Sequence, residues 1–360
     1  MKLKNMFYAV LAILVSASTL TSCEKDPVIE KDVKVTSGVY VLNSGKFQLN
    51  NASISYYDVN TKAVSPDIFY SVNNRGLGDT GQDMLIYGSK MYASIYKSGL
   101  IEVLDANNAK SIKTIKLKDD AGNPRAPRSI TAANGKIYIV LYDGYVASMD
   151  TINFNITKTV KVGANPDGSV ISDNKLFVAN TGGMTPGRDK TVSVIDLAKF
   201  EEVSKVTVNL NPQTVKADNN GNIFVISNGN YNDIPGKFQR ISSDLKTVTD
   251  ININDAKGMD IVDNKAYIYT FEYDQNWQAT NKRVIVYDCK TNEIITNNIL
   301  KSDLELTPYC IDVNPVTKDI YVGDTDYVNN GKMYCFGNDG TLKYSFGVGV
   351  NPCKTVFLMK

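Results

Sequence analysis

The sequence predicts an all-β chain: a seven-bladed β-propeller of four-stranded blades, with the ring closed by the C-terminal strand. Three observations carry this prediction. An aromatic residue between apolar residues recurs at Tyr40, Tyr92, Tyr138, Phe177, Phe224, Tyr267 and Tyr321. The intervals run from 39 to 54 residues, which is the period of propeller blades. The following apolar run ends near a carboxylate at Asp58, Asp105, Asp150, Asp196, Asp244 and Asp288, with Asn338-Asp339 in the seventh copy. Finally, Asn351-Pro352-Cys353-Lys354-Thr355-Val356-Phe357-Leu358 reads as a first strand with no unit after it, and the unit at Tyr40 lacks a first strand before it.

The unit is clearest from Asn165 to Leu210. Ser169-Val170-Ile171 is followed by a turn at Asp173-Asn174-Lys175, then Leu176 to Asn180, a Gly-rich loop, Val192 to Asp196, and Val203 to Val208. Short apolar runs without helical spacing, bounded by turn residues, read as strands. One such sheet cannot cover both its faces, whereas stacked neighbours cover each other. The first strand recurs at Ser129-Ile130, Ser169-Val170, Thr214-Val215, Met259-Asp260-Ile261 and Cys310-Ile311-Asp312. Residues 354–358 are therefore expected to supply the inner strand of blade one, leaving only short, protected edges.

The N-terminal segment reads as a targeting signal. Lys2 and Lys4 precede a short apolar core from Phe7 to Val15, too short to span a membrane. Leu20-Thr21-Ser22-Cys23 resembles a bacterial lipobox. This makes residues 1–22 a lipoprotein signal peptide, 23–36 an acylated Cys23 with its tether, and 37–360 the propeller. The alternative is a plain secretory signal with an incidental cysteine. Stable anchoring needs more than one acyl chain, which bacterial lipoproteins of this type carry. The formal net charge is +1, and −1 once Lys2 and Lys4 are removed. Such a balance argues against a nucleic-acid partner. Cys289, Cys310, Cys335 and Cys353 form no CxxC pair. They are expected as buried thiols, although an oxidising compartment would permit a bridge between Cys310 and Cys353.

The chain contains no His. That removes Ser-His-Asp and Cys-His catalysis, His bases and His metal ligands. No P-loop occurs, and no carboxylate or Lys spacing stands out. No catalytic residue, metal ligand or cofactor is predicted. The recurring Asp residues read as turn formers, because their side chains bond backbone amides two residues on. The recurring aromatics read as packing between blades.

Function is expected where the repeat breaks. Loops joining strands two and three share a face with the loops between blades. They are irregular, and the longest, Thr270 to Lys282, holds the single Trp. Candidate ligand contacts are Phe47, Gln82, Tyr96, Arg128, Tyr142, Asn228, Tyr231, Tyr273, Trp277 and Tyr327. Amides both donate and accept, and aromatics give rigid contact area. The mouth therefore suits a large, polar, neutral ligand. The plainer alternative is ordinary polar loops in a Tyr-rich chain.

Several stretches resemble a known family. Tyr40-Val41-Leu42-Asn43-Ser44-Gly45-Lys46-Phe47 with Asn51 to Asp58, Gly76 to Met84, and Val313-Asn314-Pro315 with Asp324-Thr325-Asp326-Tyr327 are similar to YncE-like surface propellers of gut Bacteroidetes. The likeness covers about residues 38–358. Where the family more often has Asn-Glu-Gly-Asn-Phe, this chain has Asn43-Ser44-Gly45-Lys46-Phe47. The family includes BtuG-type lipoproteins, which bind vitamin B12 and pass it to a TonB-dependent transporter. The resemblance implies a non-catalytic lipoprotein on the exterior face of the outer membrane, with a corrinoid as its small-molecule ligand and such a transporter as its partner. Glu24-Lys25-Asp26 resembles the surface-export signal of Bacteroidetes lipoproteins, or is simply a solvated tether. Other readings are glycan or siderophore capture, a transporter-associated scaffold, and a His-independent lactonase or lyase.

Overall fold

A computed structural model describes residues 34–184, 187–276, 278–302 and 304–360. The expected signal segment, Cys23 and Trp277 lie outside the described residues. The strands form seven four-stranded antiparallel sheets, one per blade. Each blade runs outward from an inner strand. These inner strands are Gly81–Tyr87, Pro127–Ala133, Pro166–Ser172, Pro212–Ala217, Ala256–Val262 and Pro308–Val313 in blades two to seven. Blade one takes its inner strand from Pro352–Met359, as the sequence predicts. That strand pairs antiparallel with Thr36–Asn43, setting Tyr40 opposite Val356 and Val39 opposite Phe357.

The seven repeating aromatics are buried, each at 5% exposure or less. They pack where blades stack, Tyr92 with blade three and Tyr138 with blade four. The recurring carboxylates close the turns after the third strands. Asp58, Asp150, Asp196 and Asp288 each accept backbone N–H groups two and three residues on. Those bonds hold the four carboxyls below the usual carboxylate range.

Carboxylates also join neighbouring blades along the channel. Asp83 of blade two accepts the Ile130 N–H of blade three at 2.9 Å, and Asp260 of blade six accepts the Val313 N–H of blade seven at 2.9 Å. Asp312 of blade seven accepts the Thr355 N–H of blade one at 2.6 Å. Lys216 pairs with Asp260 at 2.9 Å, and Lys354 with Asp312.

The structure corrects the sequence reading in blade six. Thr270 to Lys282 is not a loop. Strands Lys265–Tyr273 and Ala279–Asp288 form a hairpin with a register break between Thr270 and Glu272. The break lets the hairpin rise beyond the sheet while Tyr273 still pairs with Ala279. A one-turn helix, Ile68–Asn73, lies between blades one and two, where periodicity gave no sign of it. Asp67 caps it, accepting the Tyr70 N–H at 3.0 Å. The four described cysteines are free, so the bridge permitted between Cys310 and Cys353 is not formed. The Cys353 Sγ instead faces the carbonyls of Leu42 and Gly81 at 3.4 and 3.5 Å. Burial pushes the Cys289 thiol up to about 12.

Candidate ligand-binding site

Every inner strand sends its second residue toward the channel mouth. Around the ring these are Gln82, Arg128, Asp167, Gln213, Lys257, Tyr309 and Cys353, and all seven line a cavity of about 550 Å³. The scaffold position is equivalent in every blade, yet it carries six residue types. A groove of about 800 Å³ lies between blades five and six. It shares Gln213, Lys257, Phe271 and Tyr327 with the channel, so the two spaces adjoin.

The mouth is crossed by a chain of polar contacts through four blades. Arg128 donates from Nη1 to Gln82 Oε1 at 3.0 Å and from Nε to Asp167 Oδ1 at 3.1 Å, and its Nη2 bonds Asp167 Oδ2. Gln213 Nε2 donates to Asp167 Oδ2 at 3.2 Å, and Asn228 Nδ2 donates to Gln213 Oε1. Burial opposes the Arg128 charge, but the neighbouring Asp167 outweighs it and raises the pKa. The Arg128 guanidinium also lies 5.0 Å from the Tyr96 ring centre and 5.4 Å from that of Tyr142. Those rings meet edge to face at 5.8 Å. Two aromatic faces and a bidentate carboxylate thus fix one orientation of the fork.

The groove is aromatic. Phe271 and Tyr273, on one face of the blade-six hairpin, meet edge to face at 5.3 Å. The Tyr327 hydroxyl shares a hydrogen bond with Tyr273, and its ring packs against Tyr309 at 5.8 Å. Opposite, the blade-five loop presents Tyr231, whose ring lies 4.9 Å from the Arg188 guanidinium. That loop requires Gly229: at φ +64°, a Cβ there would fall 2.0 Å from the Ile234 carbonyl oxygen.

The residues singled out from sequence fall in different places. Gln82, Arg128 and Tyr327 line the channel, and Asn228, Tyr231, Tyr273 and Tyr327 line the groove. Tyr96 and Tyr142 line neither space and instead clamp Arg128 from behind. Phe47 stands apart, exposed, with the Lys97 ammonium 5.3 Å from its ring centre. The sequence reading missed Asp167, Gln213, Ser227, Lys257, Phe271 and Tyr309. A signal for three of them was present. Pro166-Asp167, Pro212-Gln213 and Pro308-Tyr309 each open an inner strand with Pro, and the residue after that Pro faces the channel.

A family model described as Domain of unknown function (DUF5074) matches residues 37–352. The chain belongs to that family. No curated protein matches this DUF5074 chain. Among solved structures it is similar to the Kuenenia stuttgartiensis hydrazine synthase, with 14% identity and a TM-score of 0.59 over 76% of this chain and 88% of that one. It is also similar to the dihydro-heme d1 dehydrogenase NirN in complex with DHE, with 13% identity and a TM-score of 0.57 over 88% of this chain and 68% of that one. The Neurospora crassa Pan2 WD40 domain matches with 11% identity and a TM-score of 0.54, over 76% of this chain and 79% of that one. At these identities the likeness is one of fold alone.

Proposed function

We propose that this DUF5074 propeller is a non-catalytic capture protein, anchored through Cys23 to the outer membrane and facing the exterior. It binds a large, polar, neutral ligand over the channel mouth and delivers it to a TonB-dependent transporter. A corrinoid such as cobalamin is the leading ligand. The observation that carries this reading is the ring of seven inner-strand side chains, varied in chemistry at one scaffold position. A repeat that keeps its core aromatics but diversifies its mouth is built for recognition there.

Breadth and charge both favour such a ligand. Gln82, Gln213 and Tyr327 belong to blades two, five and seven, so only a broad molecule touches all three at once. The channel cations are paired: Arg128 with Asp167, Lys216 with Asp260, Lys354 with Asp312, and Lys257 with Asp255 at 3.8 Å. Among the channel carboxylates, burial raises the pKa of Asp83 and so favours its neutral form. Peripheral amides would meet Gln82, Gln213 and Asn228. With no His in the chain, recognition of a corrinoid proceeds through these contacts and not through a His ligand to its metal.

The test is calorimetric titration of cobalamin into the wild-type chain and into Tyr327→Ala. Loss of one packed aromatic anchor is expected to cost about 2 kcal/mol, or roughly thirtyfold in affinity. No binding by wild type up to about millimolar cobalamin overturns the corrinoid assignment. In a separate cell fractionation, Cys23→Ala should leave the membrane fraction. Its retention there would overturn the anchor.

A further inference from the structure

We infer that the groove between blades five and six is a ring-binding subsite, taking a planar aromatic heterocycle that carries a hydrogen-bonding edge. Resting on the capture reading above, this assigns the groove to one moiety of the captured molecule and the channel mouth to the rest. Three features meet there. The first is exposed aromatic area: Tyr231, Tyr273 and Tyr327 are 67%, 49% and 44% exposed and come from three different blades. Rigid aromatic faces at that exposure offer contact area at little cost in side-chain freedom.

The second feature is backbone conformation. Tyr231 and Tyr327 take φ of +59° and +64°, the left-handed region that bulky residues rarely enter. Local bonds hold them there. Asn230 Oδ1 accepts the Asn232 and Ile234 N–H groups at 3.0 and 2.9 Å, and Thr325 Oγ1 accepts the Tyr327 N–H at 2.9 Å. Such a conformation persists where the surrounding structure fixes it, as it also does at Phe154 and Phe200 in the turns of blades three and four; here it sets both rings toward the groove they line.

The third feature is an unmade hydrogen bond. Ser227 lines the groove at 1% exposure, and among the described residues its Oγ has no hydrogen-bond partner. A buried hydroxyl without a partner is costly, and a ligand N or O reaching it relieves that cost. The rim charges are already engaged, Lys237 with Asp250 and Lys257 with Asp255. A sugar ring carries a hydroxyl on nearly every carbon, whereas much of the exposed surface here is the aromatic faces of Tyr231, Tyr273 and Tyr327. A flat ring with one or two polar atoms fits this inventory better.

The experiment is ligand-observed NMR on the full-length chain with benzimidazole and, separately, glucose as probes. Benzimidazole should bind wild type, and Tyr231→Ala should weaken it by roughly tenfold or more. Ser227→Ala should weaken it by about fivefold. Its melting temperature should not fall, because the hydroxyl removed bonds nothing among the described residues. That pairing separates a ligand role from a structural one. Benzimidazole failing up to about ten millimolar, glucose binding in its place, or benzimidazole binding unchanged in both variants would each overturn the subsite. Cobalamin titrations of the same proteins separate the two readings. Benzimidazole binding without cobalamin binding retains the groove and removes the corrinoid. Cobalamin binding undiminished in Tyr231→Ala retains capture and removes the groove.

Discussion

Asp312 illustrates how single residues bind the ring together. It is 4% exposed. One oxygen meets Lys354 and the other accepts the Thr355 N–H at 2.6 Å, so both oxygens are engaged across the seam between blades seven and one. Burial opposes the Lys354 ammonium, but Asp312, Asp260 and Asp83 around it outweigh burial and raise its pKa. Removing Asp312 takes away the carboxylate bonded to Lys354 and leaves only the fields of Asp260 and Asp83, and breaking a buried pair costs up to about 3–5 kcal/mol. Asp312→Ala should therefore lose stability by urea unfolding, by up to about that much, and a loss under about 1 kcal/mol would show the pair to be dispensable. The Asp residues that build turns were legible in the sequence because they recur at one place in the unit. Asp312 and Asp167 were not, because each bonds a neighbouring blade, a contact that follows from the closure of the ring and not from spacing within one unit. Arg128 was legible as a mouth residue, but its confinement by Tyr96 and Tyr142 depends on packing between blades two and three.

At the scale of elements, most strands announce themselves by short apolar runs, and the inner strand of blade one was legible from the unpaired run at its far end of the sequence. The blade-six hairpin was not. Its upper part is polar on one face, and residues 272–276 and 278 are exposed, so burial imposes no pattern on most of it. The alternation of Phe271 and Tyr273 around Glu272 was the remaining trace. Because the hairpin tip lies outside the core, its role belongs to the groove. Replacing residues 272–280 with a two-residue Asn-Gly turn, which favours tight hairpins, should leave the melting temperature within about 3 °C of wild type. Affinity for benzimidazole should fall by roughly tenfold or more, since Tyr273 is lost. Scanning calorimetry and NMR titration read the two effects separately. A fall above about 10 °C would place the hairpin in the core and remove it from the groove's function.

For the whole molecule, the decisive element is the strand Pro352–Met359. It is the inner strand of blade one, and its contacts reach three blades. It pairs along Thr36–Asn43, with Val35 and Lys360 exchanging both backbone bonds at 2.9 Å beyond the strand ends. Val356 and Leu358 join the core shared with Met84 and Met91 of blade two. Phe357 packs against Tyr321 of blade seven at 5.1 Å, and Lys354 reaches Asp312. Its removal does not shorten one sheet at a free edge. It bares the Thr36–Asn43 edge, opens the cores on either side, and leaves blades two and seven facing a gap across the channel. In a closed ring each blade covers its neighbours, so an opened seam weakens the arrangement beyond the blade that lost the strand. Deleting residues 353–360 should therefore lower the melting temperature by more than about 10 °C and broaden the unfolding transition. Hydrogen exchange should rise in blades two and seven as well as in blade one. Loss of protection confined to Thr36–Asp58, with an unchanged melting temperature, would mean that the ring holds without its closing strand.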